Sequence, residues 1–264
     1  PQMQAIRNVN ILVATPGRLL DLVESNAVSL SQVDTLVLDE ADKMLNLGFK
    51  EEMNRIFKLL PNNRQNLLFS ATLSEDLSAI QQLLLQKPLV IKISEELEDI
   101  DQIDQTGYYV NSDKKGPLLR YLIKSKDIKQ LLIFASSAYQ VENVADKLRK
   151  KGIHATAMHE KKSQEARTEN LRKFKTGKLR VLVATDLLGR GVDIELLPFV
   201  INYDLPRSPK DYIHRIGRTG RADSLGEAIS FITPEEVDHF KVIQKKMGKI
   251  VNMIDSKNID LQGY

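Results

Sequence analysis

Apolar residues along this chain fall into short β-branched runs, separated by longer stretches in which they recur every three or four positions. The short runs read as strands and the longer stretches as helices. Val9–Ala14 reads as a strand and leads into a helix that opens at Pro16. Thr35–Leu38 is a strand with a helix through Leu47. Leu67–Phe69 is a strand followed by a helix around Leu77–Leu85, and Leu89–Ile93 closes a first unit. Six more strands are expected at Gly107–Val110, Gln130–Phe134, His154–Met158, Leu179–Ala184, Phe199–Tyr203 and Glu227–Ile232. Helices fill the gaps, among them Val141–Lys151 and Gln164–Phe174. The last spans about Pro234 to Met247, with proline in its first turn and Gly248 just past its end. Strict alternation of this kind predicts an α/β fold with parallel sheets covered by helices on both faces.

Residues 94–106 interrupt the pattern with Glu95, Glu96, Glu98, Asp99, Asp101 and Asp104, and no base. Like charges this dense repel one another and bury little, so the stretch reads as an acidic linker. The domain reading is therefore 1–93, a linker at 94–106, a second lobe at 107–248, and a weakly patterned tail at 249–264.

An internal repeat refines this division. Leu12-Val13-Ala14-Thr15 recurs as Leu182-Val183-Ala184-Thr185. Thr35–Asp39 has a counterpart in Phe199–Asp204, an apolar strand ending in a carboxylate. Phe69-Ser70-Ala71-Thr72 has one in Ser230-Phe231-Ile232-Thr233. Three matches in one order suggest two copies of a single α/β unit. About seventy residues precede the Leu-Val-Ala-Thr strand within the second copy and only about ten precede it in the first. The expectation is an N-terminally truncated first lobe.

Charge sharpens the contrast between the lobes. Residues 1–93 carry 9 basic and 10 acidic side chains, whereas residues 107–264 carry 29 basic against 19 acidic. A basic lobe joined to a neutral one suits a polyanionic partner, although Lys-rich solvated helices would give the same balance. The 264 residues contain no cysteine, which excludes a disulfide scaffold and a cysteine-ligated zinc site. No apolar run approaches the ~18 residues of a membrane span. A reducing cytoplasm is the expected compartment.

Two clusters carry chemistry. Asp39-Glu40-Ala41-Asp42 follows an apolar strand, so Asp39 is delivered to the carboxyl edge of a parallel sheet, where ligands of such sheets bind. A carboxylate there holds Mg²⁺ directly or through water and its neighbour orients an attacking water, or else the two aspartates merely cap the next helix. In His214-Arg215-Ile216-Gly217-Arg218-Thr219-Gly220-Arg221, three arginines fall three apart, which on a helix places them near one face. Converging guanidiniums suit a triphosphate, and the two glycines permit close approach at a cost in helix stability.

Together with Thr15-Pro16-Gly17-Arg18, Ser70-Ala71-Thr72, Ala184-Thr185-Asp186 and Arg190-Gly191-Val192-Asp193, these segments resemble the DEAD-box family of RNA helicases. Leu132-Ile133-Phe134 and Gln164-Glu165-Ala166-Arg167 fit two further motifs of that family's second lobe. The resemblance covers essentially all of 1–248. It implies two RecA-like lobes, the first without its N-terminal half, and ATP-dependent unwinding of RNA with ATP and Mg²⁺ as cofactors. It implies that Asp39 binds Mg²⁺ and Glu40 activates water. Arg218 and Arg221 would be arginine fingers on the γ-phosphate, and Asp193 would contact the ribose. Asp42, Ser70, Thr72 and His214 would couple nucleotide state to lobe closure. Sequence-independent RNA would run over Thr15, Gly17, Arg18, Gln164, Arg167, Thr185 and Asp186. A DNA helicase of the same superfamily is disfavoured by the Asp-Glu-Ala-Asp quartet.

The chain also departs from the family pattern. His159-Glu160 stands where the family usually has His-Gly, and Gly189 replaces a common alanine. No Gly-x-x-x-x-Gly-Lys-Ser/Thr loop is present in the 264 residues, so on this reading the chain alone is inactive. The alternative is a non-catalytic RNA-binding or regulatory module. His154 and His239 read as ordinary surface or core residues. Tyr108 and Tyr109 read as strand packing, and the methionines as core filler.

Overall fold

Two parallel strands, β1 (Thr35–Leu38) and β2 (Gln65–Leu68), pair in the register Leu36↔Asn66 and Leu38↔Leu68. Their side chains alternate in burial, as the two-residue period of a strand requires. Leu36, Leu38 and Leu68 pack inward around Met53 of the helix Lys50–Leu59. Val37, Leu67 and Phe69 face outward and are exposed. Two more helices belong to this unit: α1 (Pro16–Glu24) and α2 (Ala41–Asn46), with Lys50–Leu59 as α3. Leu20 of α1 and Ile56 of α3 meet Leu30 and Leu60 in a small core.

The computed structural model describes residues 6, 9–70, 88–91, 103–186, 197–220 and 226–264. By its internal contacts the chain divides into residues 1–93 and 94–264.

The strand expected at Val9–Ala14 does not form. Ile11 and Val13 are 81% and 91% exposed, and no strand pairs with this segment among the described residues. A strand without a ladder partner gains no cross-strand bonds. The expected strand at Leu89–Ile93 likewise shows no ladder over 88–91, where Leu89 and Ile91 are exposed. The helix expected at 77–85 lies outside the described residues.

The second unit holds a seven-stranded sheet. Its strands are β3 (Ile103–Tyr109), β4 (Leu131–Phe134), β5 (Ala155–Met158), β6 (Val181–Ala184), β7 (Phe199–Asn202), β8 (Gly226–Ile232) and β9 (Asn252–Asp255). The spatial order is β5-β6-β4-β7-β8-β3-β9, with every pair parallel. β4 and β6 are buried at every position. Leu131 and Ile133 point into one apolar cluster, Leu132 and Phe134 into another, so helices cover both faces.

The helices are α4 (Lys115–Ser125), α5 (Ala138–Arg149), α6 (Gln164–Lys175), α7 (Pro209–Ile216) and α8 (Val237–Met247). Local chemistry starts and stops them. Ser137, Ser163 and Ser208 each accept a backbone N–H in the first turn of α5, α6 and α7. Gly248, at φ 71°, ends α8 in the left-handed conformation that glycine adopts without strain.

Two boundaries read from the sequence are corrected. The acidic linker ends sooner than Thr106: β3 begins at Ile103, which is 3% exposed and packs in the core beside Ile216 and Phe240. Along β3 Asp104 faces solvent while Gln105 is buried. The segment 249–264 is not a loose tail. β9 extends the sheet beyond β3, Val251 is 3% exposed, and Ile259 and Leu261 pack on the main core.

Removing residues 249–264 therefore strips an edge strand and uncovers the core beneath it. At ~1.5–3 kcal/mol per large apolar side chain returned to water, the loss should be at least about 3 kcal/mol. Urea denaturation measures it; an unchanged midpoint in the shortened chain would contradict the assignment of this segment to the core.

Candidate functional site

In a parallel sheet all carboxyl ends lie along one edge, so the topology decides which side chains share that edge. In the first unit, Phe69 N–H donates to Leu38 C=O at 2.8 Å and Ala41 N–H donates to Phe69 C=O at 3.1 Å. These bonds fasten the Asp39–Asp42 turn to the residue before Ser70. Asp39 and Glu40 are exposed, while Asp42 is buried. Glu40 adopts a left-handed conformation (φ 51°, ψ 43°), uncommon for a residue with a side chain, and its carbonyl accepts from Lys43 and Met44. One Asp39 oxygen, Oδ1, accepts the Glu40 N–H at 2.9 Å. The Glu40 carboxylate pairs with the Lys43 ammonium one turn along. Exposed pairs of this kind contribute only ~0.2–1 kcal/mol, so little holds Glu40 back from another partner.

Thr15 is the N-cap of α1, but its hydroxyl does not cap the helix. Pro16 occupies the first turn, and Gly17 has open space where a side chain would lie. Arg18 is exposed, 3.5 Å from Asp21. The first-turn N–H groups of α1 thus receive no side-chain cap from Thr15, as suits a helix start that accepts an anion.

In the second unit the arginine segment is not one continuous helix face. α7 ends at Ile216, Gly217 is its C-cap, and Arg218 lies in the turn beyond. Arg215 and Arg218 consequently do different things. Arg215 is 3% exposed, and each of its three guanidinium nitrogens donates a hydrogen bond. Nε and Nη2 donate to the two oxygens of Asp186 at 2.5 and 2.8 Å. Nη1 donates to Asn202 Oδ1 at 3.1 Å and to the Asp204 carbonyl at 2.6 Å. The Phe134 ring lies 5.0 Å beneath it. The convergence of three arginines on one ligand is thus corrected: Arg215 is a fastening of the fold. The Asp186 carboxylate, read as part of an RNA track, spends both oxygens on that fastening.

Arg218 is half-buried. Its carbonyl accepts from Leu197 N–H at 3.0 Å, and Thr219 bridges to Leu197. Gly220 takes φ 64° and lies directly against Gly226: a methyl group on Gly226 would overlap Thr219 Oγ1 and the Gly220 backbone. The turn carrying Arg218 is seated on β8 with no room to spare.

Leu197 precedes β7 and Gly226 opens β8, so this turn lies at the amino ends of those strands, away from the residues that follow β6. Thr185 follows β6 and is 7% exposed, and its hydroxyl has no hydrogen-bond partner among the described residues. Gln164 opens α6 and accepts from Arg167 Nη1 at 3.3 Å, while Arg167 Nε is buried without a partner. Buried polar atoms of this kind are rare in the absence of a ligand or water. His214 lies half-buried on α7. His159 Nδ1 accepts the Lys161 N–H, which leaves the ring proton on Nε2 facing Glu142 at 2.9 Å. That hydrogen bond, with Lys162 close by, holds the Glu142 carboxyl below the usual range. Glu160 points to solvent. His154 is exposed, and His239 Nε2 meets the Pro206 carbonyl.

Ala71, Thr72, Arg190, Gly191, Val192, Asp193 and Arg221 lie outside the described residues. Sequence reasoning missed Lys115, Asn202 and Asp204. Lys115 is buried, 3.0 Å from Asp204 Oδ1 and 3.7 Å from Glu236, and Asp204 Oδ2 accepts the Ser136 N–H at 3.0 Å. Connections leave β4 and β7 in opposite directions, so Asp204 sits at the topological switch point of the sheet. Its one legible signal was the repeat, which marked a strand ending in a carboxylate.

Comparison with known proteins agrees with this geometry. Residues 1–80 match the DEAD/DEAH box helicase family, and residues 114–223 match the helicase conserved C-terminal domain. The DEAD-box ATP-dependent RNA helicase CshA of Bacillus subtilis is 36% identical over 260 residues, covering 98% of this chain and 53% of that protein. The CshA helicase of Listeria monocytogenes is 37% identical over 254 residues, 96% of this chain and 49% of that one. Among solved structures, Saccharomyces cerevisiae Dbp5 bound to RNA and ADP BeF3 aligns with a TM-score of 0.79 at 30% identity, covering 96% of this chain and 68% of that chain. A DEAD box protein from Methanococcus jannaschii aligns at 36% identity and a TM-score of 0.56, covering 96% of this chain and 69% of that chain. The chain belongs to the DEAD-box family of RNA helicases. It spans about half the length of the curated relatives it matches.

Gly226→Ala should displace the Arg218 turn, because backbone stands where the new methyl would go. Overpacking of this kind costs ~1–3 kcal/mol. Urea denaturation and amide shifts of Thr219 and Gly220 measure both effects; wild-type stability with unmoved shifts would contradict the seating of this turn.

Proposed function

We propose that this chain is part of an ATP-dependent RNA helicase in which RNA-stimulated ATP hydrolysis drives local separation of short duplexes. The observation that carries the reading is the fastening of the Asp39–Asp42 turn to Phe69, the residue before Ser70, at the carboxyl edge of a parallel pair. That edge is where open α/β sheets bind nucleotide.

Asp39 keeps one carboxylate oxygen beyond the one that accepts from Glu40. No group of three His, Cys, Asp or Glu able to hold a metal occurs among the described residues, which fits an ion completed by water and phosphate oxygens. Asp39 would hold Mg²⁺, which when bound neutralises charge on those phosphate oxygens. Glu40, loosely held by Lys43, would orient the attacking water and accept its proton. Arg218, and Arg221 beside it in sequence, would present guanidiniums to the γ-phosphate, and Asp193 would contact the ribose. Asp42, Ser70, Thr72 and His214 would relay nucleotide state between the lobes.

RNA would be held by its backbone, without sequence preference. The α1 start at Thr15, Gly17 and Arg18 supplies one cradle. The unsatisfied Thr185 hydroxyl, with Gln164 and Arg167, supplies the other. Asp186 serves this track indirectly, since Arg215 fixes its carboxylate and thereby the adjoining Thr185. A second reading, a non-catalytic RNA-binding module, rests on the absence of a Gly-x-x-x-x-Gly-Lys-Ser/Thr loop from these 264 residues.

The purified 264-residue chain should hydrolyse ATP at background rate with or without RNA, because its sequence holds no Gly-x-x-x-x-Gly-Lys-Ser/Thr loop to cradle the β- and γ-phosphates; RNA-stimulated turnover would contradict this. In a longer protein containing this sequence, Glu40→Gln should lower turnover by at least ~10²-fold. ATP binding should stay within about twofold, and unchanged turnover would remove the role given to Glu40.

A further inference from the structure

A pocket of about 560 Å³ opens at the carboxyl ends of β3, β8 and β9. It lies well apart from the groups assigned above. Four strand spacings separate β6 from β3, roughly 19 Å at the usual inter-strand distance. Its apolar lining comes from Val110 and Ile232 at two strand ends, Val237 at the start of α8, and Ile259 and Leu261 of the C-terminal segment.

The walls are anchored. Asp255 accepts the Lys257 N–H at 2.9 Å and so caps the turn that forms one side. Tyr264 packs edge-on against Tyr121, with Lys124 over its ring, which holds the end of the segment in place. On the opposite side Lys115, the neighbour of the rim residue Lys114, is pinned between Asp204 and Glu236. A pocket with walls tied to buried ion pairs and ring contacts is preformed rather than adaptive.

Its chemistry narrows the occupant. Volumes of ~300–1,000 Å³ suit either small ligands or the anchor side chains of a peptide; here the one buried polar residue of the lining is Ser256, and the rest of the floor is apolar. A phosphate backbone wants a continuous cationic track, and only two cations, Lys114 and Lys257, stand on this rim. Both are exposed, and neither ammonium makes an ion pair among the described residues. The acid beside them, Asp255, caps the Lys257 turn through one oxygen and offsets only part of their charge. Tyr109, 39% exposed, offers an aromatic edge at the same mouth.

We infer that this pocket docks a short segment of a partner protein, an apolar or aromatic anchor flanked by aspartate or glutamate. The anchor enters between Val110, Val237 and Leu261, and the flanking carboxylates meet Lys114 and Lys257. The pocket shares the carboxyl edge of the sheet with Thr185 but lies roughly 19 Å along it, so its occupant is expected to bind without competing with RNA.

The test selects a randomised octapeptide phage library on the 264-residue chain. Wild type should enrich sequences with one large apolar residue next to acids. A fluorescein-labelled peptide of that consensus should bind with an affinity that falls as salt is raised. Lys114→Glu/Lys257→Glu, which changes only exposed side chains and should keep the wild-type melting curve, should weaken it at least tenfold. Single-stranded poly(U) should not displace it. The inference is overturned by no enriched consensus, by a basic consensus, by binding unaltered in the double variant, or by displacement with poly(U). Sedimentation velocity showing self-association of wild type that the double variant abolishes would overturn it in favour of a second copy of this chain.

Discussion

The carboxyl edge of the second unit depends on one buried guanidinium. Arg215 reaches from α7 to the end of β6 through Asp186 and to β7 through Asn202 and Asp204, and it lies on Phe134 of β4. Four separate elements are thereby fixed relative to one another at the edge where the chemistry gathers. A planar fork with donors in fixed directions does this, and the point charge of a lysine does not. Burying such a group is costly unless it is paired and hydrogen-bonded, and here all three nitrogens donate, two of them to the Asp186 carboxylate.

The fastening extends into the core. Asn202 also donates to Ser230, Ser230 meets the Tyr212 hydroxyl, and Tyr212 lies next to Gln105 on β3. Burial pushes the Tyr212 phenol up to about 12. It therefore stays protonated over the working range and remains available as a donor in the chain. On the other side, Asp204 links Arg215 to Ser136 and Lys115, and burial with the adjoining Asp204 charge raises the Tyr203 phenol to about 12. The edge is thus built by buried polar groups, with the unsatisfied Thr185 hydroxyl beside them. Thr185 follows the strand that Asp186 pins, and Arg218 follows the helix that Arg215 pins.

Much of this was legible in the residues. Apolar runs such as Leu131–Phe134 and Val181–Ala184 are buried on both faces, and that is why they stood out as strands. Gly248 marked the end of α8 correctly, whereas Pro234 opens a short 3-10 turn that leads into it, and the helix read over the arginine segment stops at Ile216. Two kinds of error have physical causes. Val9–Ala14 has a strand's composition, but composition supplies no ladder partner. Residues 249–264 have weak periodicity, because an edge strand of four residues and a single turn leave little pattern to read. In the site, Asp39, Glu40 and Thr185 emerged from the motifs. The separate duties of Arg215 and Arg218 did not, since their three-residue spacing suggests one helix face, and only the helix end at Gly217 parts them. Lys115 and Asp204 are 89 positions apart, a partnership that only the folded sheet reveals.

The claim that Arg215 is a fastening and not a ligand-facing group is tested most directly by a double-mutant cycle on folding free energy. The cycle compares Arg215→Met, Asp186→Asn and the combination in urea denaturation. Residues joined in one buried network couple by ~0.5–3 kcal/mol, whereas independent sites add to within about 0.5 kcal/mol. The account predicts a coupling of about 2 kcal/mol or more, with the single Arg215 variant strongly destabilised. Additive effects, or an Arg215→Met chain as stable as wild type, would contradict it.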